Sequence, residues 1–395
     1  MKYLTIKDVN LKNKRVLLRV DLNSPINDKT KKIELSDRLI QHSKTIKYLL
    51  SKKASVVILA HQGRKGDKDF RNLKQHYLLL KRFIKKINYV DDIIGKKAIS
   101  EIKKLKPGNA LLLENTRYLD EETKNLSANQ HSKGKLVSTL YHYFDYFVLD
   151  AFSILHRSNA SIVGFTVKLK TLVGLTLDKE LTNSEKLFSK IKKPFVMILG
   201  GAKPDDVILL LNNKKADYIL TSGILGELFL IAKGYKLGKK EQELKEKGYL
   251  NNIKEIKKYL NDKRIFIPED FAIALNKKRK EISVIDLPIN YLIYDIGKNT
   301  IEDFKEIIKN AKTIYYKGPQ GYYENKLFNL GTKEILQAIK KSKAYSIAGG
   351  GHSLDAISKF INKKSISYIS LAGGALVEYL AGKKLPGLEA LKIKR

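Results

Sequence analysis

In the first half of the chain, residues suited to holding an anion fall just past apolar runs. They are Asp21 and Asn23 in RVDLNSP, Arg38 in SDRLI, His61 and Arg64 in AHQGR, Arg117 in LLLENTRY, and His156 and Arg157 in DAFSILHRSNAS. Arginine is the apt choice for such a task, because its planar fork binds phosphate or carboxylate through two parallel hydrogen bonds. Each of these residues alone also reads as a capping or surface residue. Together, at the openings of one sheet, they describe a deep anion pocket. His61 and His156 raise the question of a metal, but no His-x-x-x-His or His-carboxylate pair at ligand spacing supports one.

The second half offers a different chemistry. Its apolar runs end in glycine: GGAK (200–203), TSGILG (221–226), KGPQGYYE (317–324), IAGGGHS (347–353) and SLAGGA (370–375). Bare backbone at a helix N-terminus suits phosphate, and Gly200 and Gly201 leading into Lys203 and Pro204 predict such a terminus with a lysine beside it. Glu324 is placed to accept hydrogen bonds from ribose hydroxyls. The segment is neither a G-x-x-x-x-G-K-[ST] loop nor a G-x-G-x-x-G turn. From the residues alone a second reading stays open, in which the glycines serve backbone packing and the lysine is solvated.

Elements must exist to position these residues. Apolar runs at 14–20, 54–60, 109–115, 146–152, 195–201, 216–222, 312–318, 344–350 and 367–373 alternate with helical stretches, and near-continuous apolar runs suit strands covered on both faces. The pattern predicts α/β layers with parallel sheets, where ligands sit beyond the carboxyl ends of the strands. At 395 residues two domains are expected. A charged segment over 173–192 reads as one helix between domains 1–172 and 193–380, and residues 381–395 read as a tail able to pack back on the first domain.

Composition narrows the class. There is no cysteine, so disulfides and thiolate chemistry are excluded. No apolar run approaches the roughly 18 residues of a membrane span, and MKYLTIKDVN lacks a signal-peptide core, so a cytoplasmic location without membrane partners is expected. The net charge of +35 invites a nucleic-acid reading. The lysines are scattered rather than clustered, and no nucleic-acid-binding signature accompanies them, so no specific nucleic-acid partner is expected.

The stretches RVLLRVDLNSP, HQGRKGDKDF, LLLENTRY, DAFSILHRSNASIVGF, ILGGAK with Asp206, DIGKNTI, GPQGYYE, AGGGHS and AGGALVEYLAGKKLPGLEAL occur in an order that resembles the phosphoglycerate kinases along the whole chain. GGGHS and TSGILGELFLIAKG look most like the archaeal branch. The resemblance implies two doubly wound, Rossmann-like parallel-sheet domains joined by a hinge helix. It also implies phosphoryl transfer between 1,3-bisphosphoglycerate and ADP, giving 3-phosphoglycerate and ATP, with Mg²⁺ and with closure of the domains, in a monomer or homodimer. Asp21, Asn23, Arg38, His61, Arg64, Arg117 and Arg157 would bind the glycerate. Gly200, Gly201, Lys203, Gly223, Pro319, Glu324, Gly350, Gly351, His352 and Ser353 would bind the nucleotide. Arg38, Lys203, Gly351 and Gly374 would surround the transferred group, with no dedicated protein ligand set for the metal.

Five departures from the resemblance bear on activity. Val207 replaces a second lysine found in bacterial and eukaryotic members, and Lys317 replaces the usual asparagine, in a position to restore that charge. Leu371 and Ala372 replace a threonine and a glycine, and His352 replaces an aspartate on the metal side. A basic nucleic-acid-binding protein and a catalytically weakened kinase homologue are the alternatives these features leave.

Overall fold

Short, nearly all-apolar segments pair into parallel sheets here because both of their faces are covered, and the chain does this twice. The computed structural model describes residues 3–187 and 190–392. It divides into two units, Met1–Thr182 with Lys384–Arg395, and Asn183–Lys383.

In unit 1 the strands are β1 (Arg15–Arg19), β2 (Ser55–Leu59), β3 (Ile87–Tyr89), β4 (Ala110–Leu112), β5 (Tyr146–Leu149) and β6 (Lys170–Val173). They lie in the order β3-β4-β2-β1-β5-β6, and every pair is parallel. Successive strands leave β1 toward β2 on one side, whereas β5 leads outward to β6 on the other. The order therefore reverses between β1 and β5, and the loops after those two strands flank the crevice where ligands of such sheets bind.

Unit 2 repeats the plan with β7 (Phe195–Leu199), β8 (Tyr218–Thr221) and β9 (Ile265–Phe266), then an antiparallel group of β10 (Asp270–Leu275), β11 (Lys278–Ser283) and β12 (Ile293–Ile296), and finally β13 (Thr313–Lys317), β14 (Tyr345–Gly349) and β15 (Tyr368–Ser370). The main sheet runs β15-β14-β13-β7-β8-β9, all parallel. Its reversal lies between β7 and β13, which sets the GGAK and KGPQG turns side by side. The small sheet β11-β10-β12 is an addition to the expected architecture. Its β10–β11 hairpin turns on Asn276 and Lys277, both at positive φ (50° and 59°), as a two-residue hairpin requires.

Each apolar run named above contains a strand. The 173–192 segment is less regular than expected: its helix covers Leu175–Glu185 only, and residues 188 and 189 lie outside the described residues. The helix start is fixed from β5, because Asp150 Oδ1 accepts from the backbone N–H groups of Thr176 (2.8 Å) and Leu177 (3.2 Å). The division between units falls inside this helix, after Thr182. In the tail, whose residues 393–395 also lie outside the described residues, Gly387 donates its N–H to Leu155 O at 2.8 Å within unit 1. Among the described residues no helix is long and apolar enough to cross a membrane.

Candidate functional site

The cluster in unit 1 is organised around one buried carboxylate. Asp21 follows β1 and is 1% exposed. Its Oδ2 pairs with Arg38 Nη1 at 2.9 Å and accepts from the Ser153 hydroxyl, while its Oδ1 accepts from Asn23 N at 3.0 Å. Burial alone would raise its pKa, but the Arg38 guanidinium first, and then the Ser153 hydroxyl, outweigh it and hold the carboxyl well below its ordinary range. Arg38 stands in the first turn of the helix Asp37–Ser51, whose N-cap is Ser36 accepting from Leu39 N. The cap fixes where the guanidinium starts, and the carboxylate fixes where it ends.

His61 follows β2 and faces Arg19, an arginine the sequence pattern does not single out because it lies inside a strand. Arg19 is 1% exposed, and its Nη2 lies 3.1 Å from His61 Nδ1. A guanidinium only donates, so Nδ1 is the acceptor and His61 carries its proton on Nε2. Burial first, and then Arg19, Arg117 and Arg157, push the His61 pKa well below its ordinary value, so the ring is neutral. Glu122 Oε1, 3.8 Å away, balances the buried Arg19.

Arg64, Arg117, His156 and Arg157 line a pocket of about 480 Å³ together with Lys65, Asp120, Ser158 and Asn159. Arg117 sits on the 3-10 turn Thr116–Tyr118, capped by the Asn115 side chain, and donates through Nη1 to Gly63 O. Its Nε and His156 Nδ1 are buried without a hydrogen-bond partner among the described residues. Burial, then Arg157 and Arg19, lower the Arg117 pKa to about 10, and burial, then Arg157, lower that of His156 to about 4. The region holds more positive charge than it neutralises, which is the electrostatic condition of an anion site. Asp21, Asn23, Arg38 and His61 do not line this pocket. Asn23 uses its Oδ1 to accept from Gly63 N at 2.8 Å, tying the loops after β1 and β2 together.

In unit 2 the glycines divide into two kinds. Gly200 N donates to Lys317 O (2.8 Å), Gly201 N to Pro319 O (2.7 Å) and Gly223 N to Gln320 O (3.1 Å). A Cβ on Gly318, whose φ is +87°, would lie 2.2 Å from Gly200 O. These glycines let three turns lock backbone to backbone, so their N–H groups are already engaged. By contrast, a Cβ on Gly351, Gly373 or Gly374 would meet nothing within 4 Å. Gly351 and Gly374 open the helices Gly351–Phe360 and Gly374–Leu380, and neither helix has a side-chain cap. The N–H groups of Gly351 and Gly374 themselves are left to a ligand, whereas that of Ala375 already donates to Ala372 O at 3.2 Å.

The helix start predicted at Pro204 takes a different form. The helix Asp205–Ile208 is four residues long, and Asp205 and Asp206 fill its first turn, a distribution that disfavours an anion there. Lys203 is exposed beside it. Lys317, at the end of β13, is buried, with Nζ 4.0 Å from Asp206 Oδ2 and 3.3 Å from the point a Gly350 Cβ would occupy. Burial lowers its pKa, Lys203 adds to this, and Asp206 opposes it. Val207 is buried. Ser353 is taken up structurally, its Oγ accepting from Gly318 N at 2.8 Å.

A pocket of about 420 Å³ opens beside these turns, and Gly201, Gly223, Pro319, Glu324 and His352 line it. Gly200, Lys203, Gly350, Gly351, Ser353 and Gly374 do not. Its walls add Ile224, Phe271, Leu292, Ile293 and Tyr294, an apolar slot of a size that takes a nucleoside. It also contains Glu227, Lys240 and Glu243, which no strand-end rule would find because they lie within helices. Among the described residues no group of three or more His, Cys, Asp or Glu side chains is placed to hold a metal.

Residues 6–383 match the family model described as phosphoglycerate kinase. A phosphoglycerate kinase of Methanobacterium bryantii is 41% identical over 397 residues, covering 98% of this chain and 97% of its own. One from Sulfolobus acidocaldarius is 40% identical over 401 residues, covering 98% and 95%. Among solved structures, the crystal structure of phosphoglycerate kinase from Pyrococcus horikoshii OT3 matches with a TM-score of 0.89 at 37% identity over 98% of both chains. That of the Coxiella burnetii enzyme gives 0.83 at 32% over 99% of both.

Proposed function

The chain belongs to the phosphoglycerate kinase family, and from that premise we propose how its residues divide the work. The reaction is reversible phosphoryl transfer between 1,3-bisphosphoglycerate and ADP, giving 3-phosphoglycerate and ATP, a step of glycolysis. On our reading unit 1 binds the glycerate and unit 2 the nucleotide, and the soluble substrates support a cytoplasmic setting. The observation that carries this division is the gathering of Arg64, Arg117 and Arg157 around one pocket, with two buried nitrogens there awaiting partners. Asp21 and Asn23 then act as positioning residues, because their oxygens are spent on Arg38, Ser153 and backbone N–H groups. The diffuse positive charge of the chain draws in anionic substrates from a distance.

Transfer through a loose transition state needs alignment and compensation of charge more than a base, and a leaving carboxylate needs no proton. Arg38 and Lys203 balance charge on the moving group. Lys317, whose ammonium lies against Gly350, supplies a cation that Val207 cannot. The N–H groups of Gly351 and Gly374 receive phosphate oxygens. Mg²⁺, when bound, neutralises the nucleotide's phosphates. That ion keeps several waters and takes one or two carboxylates, a demand that the exposed Asp205 and Asp206 fit. Ligands held on separate units must meet, so we assign the 173–192 segment a hinge role. Small-angle scattering is expected to show compaction with both ligands bound, and its absence would count against the hinge.

A coupled assay with 3-phosphoglycerate, Mg²⁺ and ATP, repeated with each component left out, tests the reading. Turnover that requires all three is expected. A folded protein that binds ATP yet turns over nothing would mean that the substitutions at Val207, Lys317, Leu371 and Ala372 have disabled the site.

A further inference from the structure

The helix Gly223–Ala232, with the sequence GILGELFLIA, is almost wholly buried, and it is apolar except for one acid in its middle. Glu227 stands one turn beyond Gly223 and shares its face, so both line the 420 Å³ pocket, with Ile224 between them. The Glu227 side chain is 5% exposed. Its Oε1 lies 3.6 Å from Lys240 Nζ, and that buried ammonium lies nearer to Glu243 Oε2, at 2.9 Å. Glu243 is held in turn by Lys247. Lys240 is thus shared between two carboxylates, and Glu227 Oε2 has no hydrogen-bond partner among the described residues. A buried carboxylate oxygen without a donor is costly and calls for a partner from the ligand.

The surroundings define that donor. Phe271, Leu292, Ile293 and Tyr294 give the slot an apolar side against which a flat ring fits. Oε1 faces the Lys240 ammonium at 3.6 Å, and Oε2 is the oxygen that has no donor of its own, so the ligand is asked for an N–H there. The 6-amino group of adenine meets this need. Hypoxanthine and guanine both set a 6-carbonyl oxygen against the carboxylate where adenine presents a donor. We propose that Glu227 is a specificity-determining residue of this chain, accepting a hydrogen bond through Oε2 from the 6-amino group of an adenine nucleotide. The proposal rests on the reading of this pocket as the nucleotide site. The acid's raised pKa, pushed up by burial to about 7, is consistent with an acceptor that is short of partners.

Calorimetric titration of the full chain with ADP, IDP, GDP and purine riboside diphosphate tests it. The unmodified chain is expected to bind ADP about tenfold or more tighter than the other three, the usual worth of a hydrogen bond to a charged group. Glu227→Gln keeps the shape and can turn its amide to donate to a 6-carbonyl, so the ADP-to-IDP gap should close to about threefold or less while ADP binding weakens. An unchanged gap in a variant with unchanged melting temperature would overturn the assignment, as would GDP binding as tight as ADP in the unmodified chain. Leu292→Trp, checked for folding by circular dichroism, separates the two readings. If it weakens every nucleotide while Glu227→Gln changes no ratio, only the specificity assignment fails; if it weakens none, the pocket itself is misassigned.

Discussion

Unit 1 and unit 2 share a sheet plan, each with a strand-order reversal at its centre, yet they prepare for an anion by opposite means. Unit 1 uses side chains. Its guanidinium groups are held by buried acids, by caps and by one another's repulsion, as Asp21 holds Arg38 and Glu122 balances Arg19. Unit 2 uses backbone. Three glycine turns lock together through their own N–H and C=O groups, while a separate set of glycines leaves helix starts bare. A side-chain site gains charge at the cost of desolvation, so it depends on ion pairs. A backbone site carries no such cost, but it tolerates no Cβ where the turns meet.

The largest effect should come from the two cations proposed to balance charge on the moving group. Arg38→Ala and Lys203→Ala are each expected to lower kcat by at least ~10²-fold, in the range for loss of one transition-state donor. They should differ in stability. Asp21 loses its main partner in the first variant, so its urea midpoint should fall, while the exposed Lys203 leaves it unchanged. Near-normal turnover in either would remove that residue from the mechanism.

The glycines sharpen the contrast at an intermediate scale. Gly318→Ala combines a left-handed φ with a Cβ 2.2 Å from Gly200 O, and should cost about 2–4 kcal/mol in urea unfolding. Gly374→Ala meets open space at a helix start. It should leave stability within about 0.5 kcal/mol while raising the KM for ATP. Equal stability losses in the two variants would erase the distinction between locking and bare glycines.

The smallest effect is a difference in pH response. In unit 1 burial lowers the pKa values of His61, His76 and His156, the last two to about 4. A lowered folded-state pKa gives stability that is present above about 6.5 and lost as pH falls toward the folded value. The loss is at most about 1.4 kcal/mol per pH unit per histidine. In unit 2 burial raises Glu227 to about 7 and Asp295 to about 6, which gives stability present at low pH and lost as pH rises through those values. Between pH 7 and 5, hydrogen exchange corrected for intrinsic rate should therefore show β1 and β5 losing protection relative to β7 and β13. Parallel changes in both units would contradict the assigned environments.

How much of this was legible in the sequence follows from the same contrast. Runs such as FVMILGG and ASVVILA declare buried parallel strands, and the arginines after them mark unit 1 because position beyond a strand end is a one-dimensional cue. The β10–β11 hairpin was not legible, since its Asn276-Lys277 turn lacks the usual glycine. The roles of the glycines were not legible either. Gly200 and Gly374 look alike in sequence, and only the distance to a neighbouring backbone separates them. Arg19, Glu227 and Lys240 escaped because they lie within a strand or helices, where period and burial carry no sign of what faces a cavity.

The central claim is that the two units take different ligands, and hydrogen exchange on the intact chain with one ligand at a time tests it most directly. 3-Phosphoglycerate alone should protect the segments around Asp21, His61, Arg117 and Arg157, and leave the turns at Gly201, Gly318 and Gly351 unchanged. ADP should do the reverse. Protection of the glycine turns by 3-phosphoglycerate, or of the arginine loops by ADP alone, would contradict the account.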